Sequence, residues 1–164
     1  MIWRNVKQVT LRAMTAAEYE EATRRREAEG ARELAEFVSE EQAWERVREG
    51  TAFYLPQGQE TEGHYLVVAE DDSGAVVGEA WLGPDPQEAT ATADSGWVYD
   101  IVVYEQFRRQ GYGSAILAAV EELAAGKGMT RVGLNVVGSN TAAIELYRRS
   151  GYAVSSMVMH KKVQ

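Results

Sequence analysis

Apolar and polar residues alternate over Val9-Thr10-Leu11-Arg12-Ala13-Met14, the period-two pattern of a strand. Thr15-Ala16-Ala17-Glu18 then reads as a capping box, which opens a helix rich in Glu and Arg. Gly30 is expected to interrupt that helix. A second box, Ser39-Glu40-Glu41-Gln42, opens a helix expected to stop at Gly50. Its apolar residues Ala43, Trp44 and Val47 lie three and four apart, so one face should be buried.

Strand patterns follow. His64 to Ala69 and Val76 to Leu82 flank the turn Asp71-Asp72-Ser73-Gly74, which predicts a hairpin. Gly83 to Ser95 is a loop, and Gly96 to Val103 is a long β-rich run. A helix is predicted from Tyr112 to Gly126, with Ile116, Val120 and Leu123 on one face. A strand follows from Arg131 to Val136. Ser139-Asn140 caps a last helix that Gly151 ends, and Tyr152 to Val163 should close the sheet as a final strand. The order is β-α-α-β-β-β-α-β-α-β. A strand–helix–strand unit in the middle demands a parallel crossover, and the hairpin makes the rest antiparallel. The expected class is α/β: a mixed, mostly antiparallel twisted sheet with a parallel central pair and helices on both faces.

At 164 residues the chain has the length of one domain, and 1–164 is read as such. No apolar run approaches the roughly 20 residues that span a bilayer. The first seven residues are too polar for a signal peptide. A cytoplasmic protein with no membrane association is therefore expected. Cys is absent, which excludes a thiol nucleophile and thiolate ligands. Only His64 and His160 are histidines, so no metal site is expected. The net charge of -8 disfavours nucleic acid as a partner. The basic runs Arg24-Arg25-Arg26 and Arg148-Arg149 stand among glutamates and read as solvated helix faces.

Candidate chemistry concentrates where the long β run meets the next helix, from Ile101, Val102 and Val103 through Arg108, Arg109, Gln110, Gly111, Tyr112, Gly113 and Ser114. Two spaced glycines at a helix start let backbone N–H groups converge on an anion. The helix dipole adds positive charge there. A Rossmann fingerprint would need Gly or Ala where Ile116 stands, and the P-loop Gly-Lys-Ser/Thr is missing. Taken alone, the loop fits a phosphate site or a simple turn. Asn140 and Tyr147 are seven residues apart, two turns along one helix face. Singly, Asn140 reads equally as a cap and Tyr147 as a core aromatic.

Together the two stretches, Arg108-x-x-Gly111-x-Gly113 and Asn140…Tyr147…Gly151-Tyr152, resemble the GCN5-related N-acetyltransferase (GNAT) superfamily. The resemblance covers about the C-terminal 70 residues, with a cofactor half of roughly 96–152. It implies the acyl-CoA N-acyltransferase fold and acetyl-CoA as co-substrate. It also implies transfer of an acetyl group to a primary amine, of a small molecule or a peptide, by direct attack in a ternary complex. A homodimer is common in such families. By position, the backbone of Ile101, Val102 and Val103 would pair with the pantetheine arm. Arg108 to Ser114 would bind the pyrophosphate, Asn140 would hold the pantetheine, and Tyr147 would act as general acid on the leaving sulfur. Rival readings are a non-catalytic acyl-CoA sensor and a transferase using a longer acyl-CoA.

The chemistry suits these residue types. An amine attacks a thioester while uncharged, the oxyanion needs an N–H donor near Val103, and the leaving thiolate gains from a proton. Two departures stand out. Glu105 occupies a place where the family often has Pro. Asn135 stands where relatives acting on ribosomal-protein N-termini carry a Glu base. Asp100, on the strand entering the loop, is the best carboxylate for the base, with Glu79 on the hairpin second. Asp100 reads equally as a surface carboxylate. The acceptor pocket is expected among Tyr19, Trp44, Phe53, Tyr54, Trp81, Trp97 and Tyr99, most of which also suit a core.

Overall fold

A sheet strand must bury at least one face, and the apolar alternation along this chain supplies two faces to cover. The computed structural model describes residues 6–88 and 91–164. The chain divides into two compact units, 1–134 and 135–164. The first holds β1 (Thr10–Ala13), α1 (Ala16–Leu34), α2 (Glu40–Tyr54), β2 (Tyr65–Glu70), β3 (Val76–Pro84), β4 (Ser95–Val103), α3 (Tyr112–Gly126) and β5 (Arg131–Leu134). The strands lie in the order β1-β2-β3-β4-β5. The first four are joined antiparallel, and β5 runs parallel to β4. The α/β class and the mixed sheet expected from the pattern are those observed, and the parallel pair stands at the β5 end of the strand order.

The three strands β2, β3 and β4 feed both sheet faces. Val67 and Ala69 of β2 join Ala80, Leu82 and Val98 beneath Tyr112, Ile116, Val120 and Ala124 of α3. Those four helix residues recur every fourth position, one stripe of the helix. Leu66 and Val68 face the other way, toward Ala22 of α1 and Leu55 at the end of α2. Each fully buried Ile or Val contributes about 1.5–3 kcal/mol relative to exposure. Gly78 allows α3 to close on β3. A Cβ there would run into the Val102 carbonyl and lie 2.7 Å from Ile116 Cδ1.

Both expected helix stops are overturned. α1 runs through Gly30 and α2 through Gly50. Gly30 is a contact point rather than a terminator: a Cβ there would stand 3.0 Å from Val47 Cγ1, so its bare backbone lets α2 approach. Thr15 and Ser39 each accept a hydrogen bond from the third helical N–H in a full capping box, as expected.

The second unit contains α4 (Thr141–Arg149), capped by Asn140. The closing strand expected from Tyr152 to Val163 is not formed. These residues carry no strand pairing, and Val154, Met157, Val158 and Met159 are exposed. A strand exists only through a ladder to a neighbour, so alternation alone cannot make one. Among the described residues no helix is long and apolar enough to cross a membrane.

Candidate active site

Two irregularities of β4 shape the site. The first is a bulge: Trp81 pairs with Asp100 and Leu82 with Val98, leaving Tyr99 unmatched. An extra residue shifts the alternation of side chains. Val98, Ile101 and Val103 therefore all pack on the α3 side, although their spacing is odd. Tyr99 packs on the α1 side, and Asp100 reaches Arg25 of α1. Without the bulge Asp100 would share the face of Val98. The second irregularity is early separation: β5 pairs with β4 only from Ser95 to Val98. The Tyr104 N–H donates to the Val77 carbonyl at 2.9 Å, so alternation turns the backbone groups of Val102 toward β3. Those of Ile101 and Val103 face the edge that β5 leaves uncovered. The Val103 carbonyl there accepts from Arg108 Nε at 3.1 Å.

The loop after β4 then turns sharply. Arg109 has a φ of 60° and Gly111 a φ of 90°, the left-handed region that favours glycine at the second. Gly111 is the N-cap of α3 and offers no side chain to cap it. The first hydrogen bond returning to Gly111 comes from Ala115 N–H at 3.3 Å, so the N–H groups of Tyr112, Gly113 and Ser114 precede the intrahelical ladder. Arg108, Arg109 and Gln110 are exposed around them, while the Tyr112 ring is buried against Phe107. This donor set suits a diphosphate: uncapped N–H groups, the positive helix end and two guanidinium groups.

The other site features are side chains on the α1 side of the sheet. Arg25 joins two carboxylates: Nη1 pairs with Glu79 Oε1, and Nη2 donates to Asp100 Oδ2 at 3.0 Å. Glu79 Oε2 accepts from the Tyr104 hydroxyl at 2.7 Å. Arg26 lies 3.9 Å from Asp100 Oδ2, with its guanidinium 4.6 Å from the Trp81 ring centroid. Trp81 stacks on Tyr99 at 4.4 Å and donates from Nε1 to His64 Nδ1 at 2.9 Å. Burial raises the Asp100 carboxyl above its ordinary range, against the pull of Arg25 and Arg26. Burial, and then the bond to Glu79, raises the Tyr104 hydroxyl, and burial lowers His64.

The triple-arginine run is thus only partly a solvated face. Arg24 is exposed and pairs with Glu21, but Arg25 and Arg26 turn inward. Their spacing of three and four from the buried Ala22 carried that signal. Of the aromatics expected around an acceptor, Tyr19, Tyr54, Trp81 and Tyr99 gather on this face. Phe53 is exposed, Trp44 lies partly exposed on α2, and the Trp97 ring covers Gly133.

In the second unit, Asn140 Oδ1 accepts from the Ala143 N–H at 3.2 Å. The half-buried Tyr147 ring stands 5.8 Å from that of Tyr152, centroid to centroid.

Residues 18–152 match the model of the acetyltransferase (GNAT) family. The chain is 32% identical over 109 residues to the N-acetyltransferase YycN of Bacillus subtilis (strain 168), covering 66% of this chain and 68% of that protein. The crystal structure of YycN superposes with a TM-score of 0.85 at 26% identity, over 96% of this chain and 99% of that one. A second B. subtilis (strain 168) N-acetyltransferase, YdgE, is 30% identical over 125 residues, 76% of this chain and 78% of its own. The aminoglycoside N-acetyltransferase AAC(6')-Iy, solved in complex with CoA, shares the fold. Its TM-score is 0.60 at 17% identity, over 99% of this chain and 98% of its own. The chain belongs to the acetyltransferase (GNAT) family and is an acyltransferase.

Proposed function

We propose that this acyltransferase moves the acetyl group of acetyl-CoA to the primary amine of a small-molecule or peptide acceptor, by direct attack in a ternary complex. The observation that carries this reading is the uncapped start of α3, set among Arg108 and Arg109 directly after a stretch of β4 that β5 does not pair. CoA-binding relatives of the same fold support it. Acetyl-CoA brings the activated thioester.

The chain's own residues divide the remaining work. The N–H groups of Gly111 to Ser114, with Arg108, Arg109 and Gln110 around them, bind the diphosphate. Ile101 and Val103 offer backbone groups to the pantetheine arm, while Val102 stiffens the edge through its pairing with Glu79. Asn140 holds the pantetheine by its side-chain amide, beyond the oxygen used as a cap. Tyr147 gives its hydroxyl proton to the leaving sulfur. Asp100 receives the acceptor's ammonium and takes its proton, directly or through water. Glu79 supports it from the neighbouring strand. Holding both substrates together accounts for much of the acceleration in such a reaction.

Tyr147→Phe keeps the ring and removes the proton. With acid catalysis worth about 10²–10⁴-fold, kcat in a thiol-release assay across an amine panel should fall by that range. CoA affinity should stay unchanged. Full turnover of the Phe variant at every pH would make Tyr147 a packing residue. Absence of thiol release with every amine would leave an acyl-CoA-binding module instead.

A further inference from the structure

Arg25, Glu79, Asp100 and Tyr104 form a connected set of polar groups on the α1 side of the sheet. Arg25 presents a planar fork of donors. One arm meets Glu79 and the other meets Asp100. Glu79 has both oxygens engaged, Oε1 by Arg25 and Oε2 by Tyr104, and is 3% exposed. Asp100 has Oδ2 held by Arg25 and approached by Arg26. Among the described residues no side-chain hydrogen bond reaches its Oδ1, and its side chain keeps 20% exposure. Of the two carboxylates, only Asp100 can offer an oxygen to a newcomer.

We propose that Arg25 is a positioning residue for the acceptor: its guanidinium clamps Glu79 and Asp100 together, keeps Asp100 ionised and presents Oδ1 to the acceptor's ammonium. The proposal rests on the assignment of Asp100 to the acceptor amine. Two adjacent carboxylates in a partly dry site do not both ionise without a cation between them. The groups facing Asp100 are Arg25, Arg26 and Glu29 of α1 and Glu79 of β3, the last bonded in turn to Tyr104. Burial and the two glutamates push the Asp100 carboxyl up, and the two arginines pull it down. Removing Arg25 leaves Arg26, at 3.9 Å, as the one cation among the described residues that lies near Asp100. The Asp100 pKa then rises. Activity that needs the ionised form is lost as pH falls through that pKa, so the acid limb of the rate profile moves to higher pH.

The experiment is the pH profile of kcat/KM for the best amine of the panel. It is measured on the full chain as wild type, Arg25→Gln, Arg25→Lys, Asp100→Asn and the Arg25→Gln/Asp100→Asn double variant. Calorimetry with CoA checks that each variant retains its co-substrate site. Arg25→Gln should move the acid limb up by about one pH unit or more. Arg25→Lys should move it less, since one ammonium keeps the charge but cannot bond both carboxylates as a fork. On the Asp100→Asn background, Arg25→Gln should make no further change. An unmoved limb in Arg25→Gln, with Asp100→Asn altered and CoA binding kept, overturns the role of Arg25. Should Arg25→Gln fail to fold, a wild-type profile in Arg25→Lys overturns it equally. A wild-type profile in Asp100→Asn overturns the Asp100 assignment itself, whatever the arginine variants do.

Discussion

The loop entering α3 and the charge cluster beneath α1 both begin at the end of β4, yet they are built in opposite ways. The loop is made of consecutive residues, Val103 to Ser114, and presents main-chain N–H groups at the uncapped start of α3. The cluster draws side chains from α1, β3, β4 and the residue after β4, with Arg25 and Asp100 separated by 75 positions. A backbone site is damaged by added bulk and tolerates lost charge. A side-chain site is damaged by the removal of a single atom type. Under the function proposed above, the contrast would also separate the two substrates: a phosphate-rich co-substrate suits fixed dipoles, and an amine suits a carboxylate whose protonation can change.

The largest test adds bulk to the loop. Gly111→Val with Gly113→Val puts branched side chains where N–H groups would face the proposed diphosphate, one of them at a φ of 90°. CoA affinity by calorimetry should fall by about a hundredfold or more, against a local strain cost of about 1–3 kcal/mol. The KM for the amine at saturating acetyl-CoA should barely move. An unchanged CoA affinity in the folded double variant removes the loop from co-substrate binding.

The second test reverses the pattern. Asp100→Asn keeps shape and removes charge, so the amine KM should rise about tenfold and kcat should fall if the proton also goes there. CoA affinity should hold. A matched loss of CoA binding would show that the two sites are not separable.

The smallest test compares the Arg25 cluster with a half-buried ion pair farther from the site. Arg12 pairs with Glu18 at 2.8 Å and with Glu70 at 2.6 Å near the helix start. The bond from Arg12 lowers the Glu18 carboxyl to about 2. A carboxyl depressed on folding stabilises above its unfolded pKa, and that contribution fades as pH falls toward the folded value. Solvent screening keeps it below about 1 kcal/mol. Glu18→Gln should therefore lower Tm slightly at pH 7 and leave it nearly unchanged near pH 2, with no effect on turnover. A turnover change would mean that the outer pair sets the position of Arg25.

Legibility follows the same division. Helix starts were readable because capping is local: Thr15, Ser39 and Asn140 each bond a donor within three residues. The hairpin was readable from Asp71 to Gly74, whose side chain and backbone close the turn among themselves. The stops at Gly30 and Gly50 were misread. A glycine in a helix costs only about 1 kcal/mol, too little to end either helix by itself, and at Gly30 the bare backbone also lets Val47 approach. The bulge at Tyr99 left no trace in the sequence, since it depends on the register of β3 against β4.

The sequence by itself determined the alternation that makes the sheet, the glycine-led start of α3 and the family to which the chain belongs. Each of these is written within a few residues or in a fixed spacing along the chain. Tertiary structure alone decided that Asp100 turns to the α1 side, that Glu79 stands beside it and that Arg25 lies between them. The reason is physical. Side-chain direction in a strand reverses with a single extra residue, and the partner of a buried charge is chosen by which elements pack together.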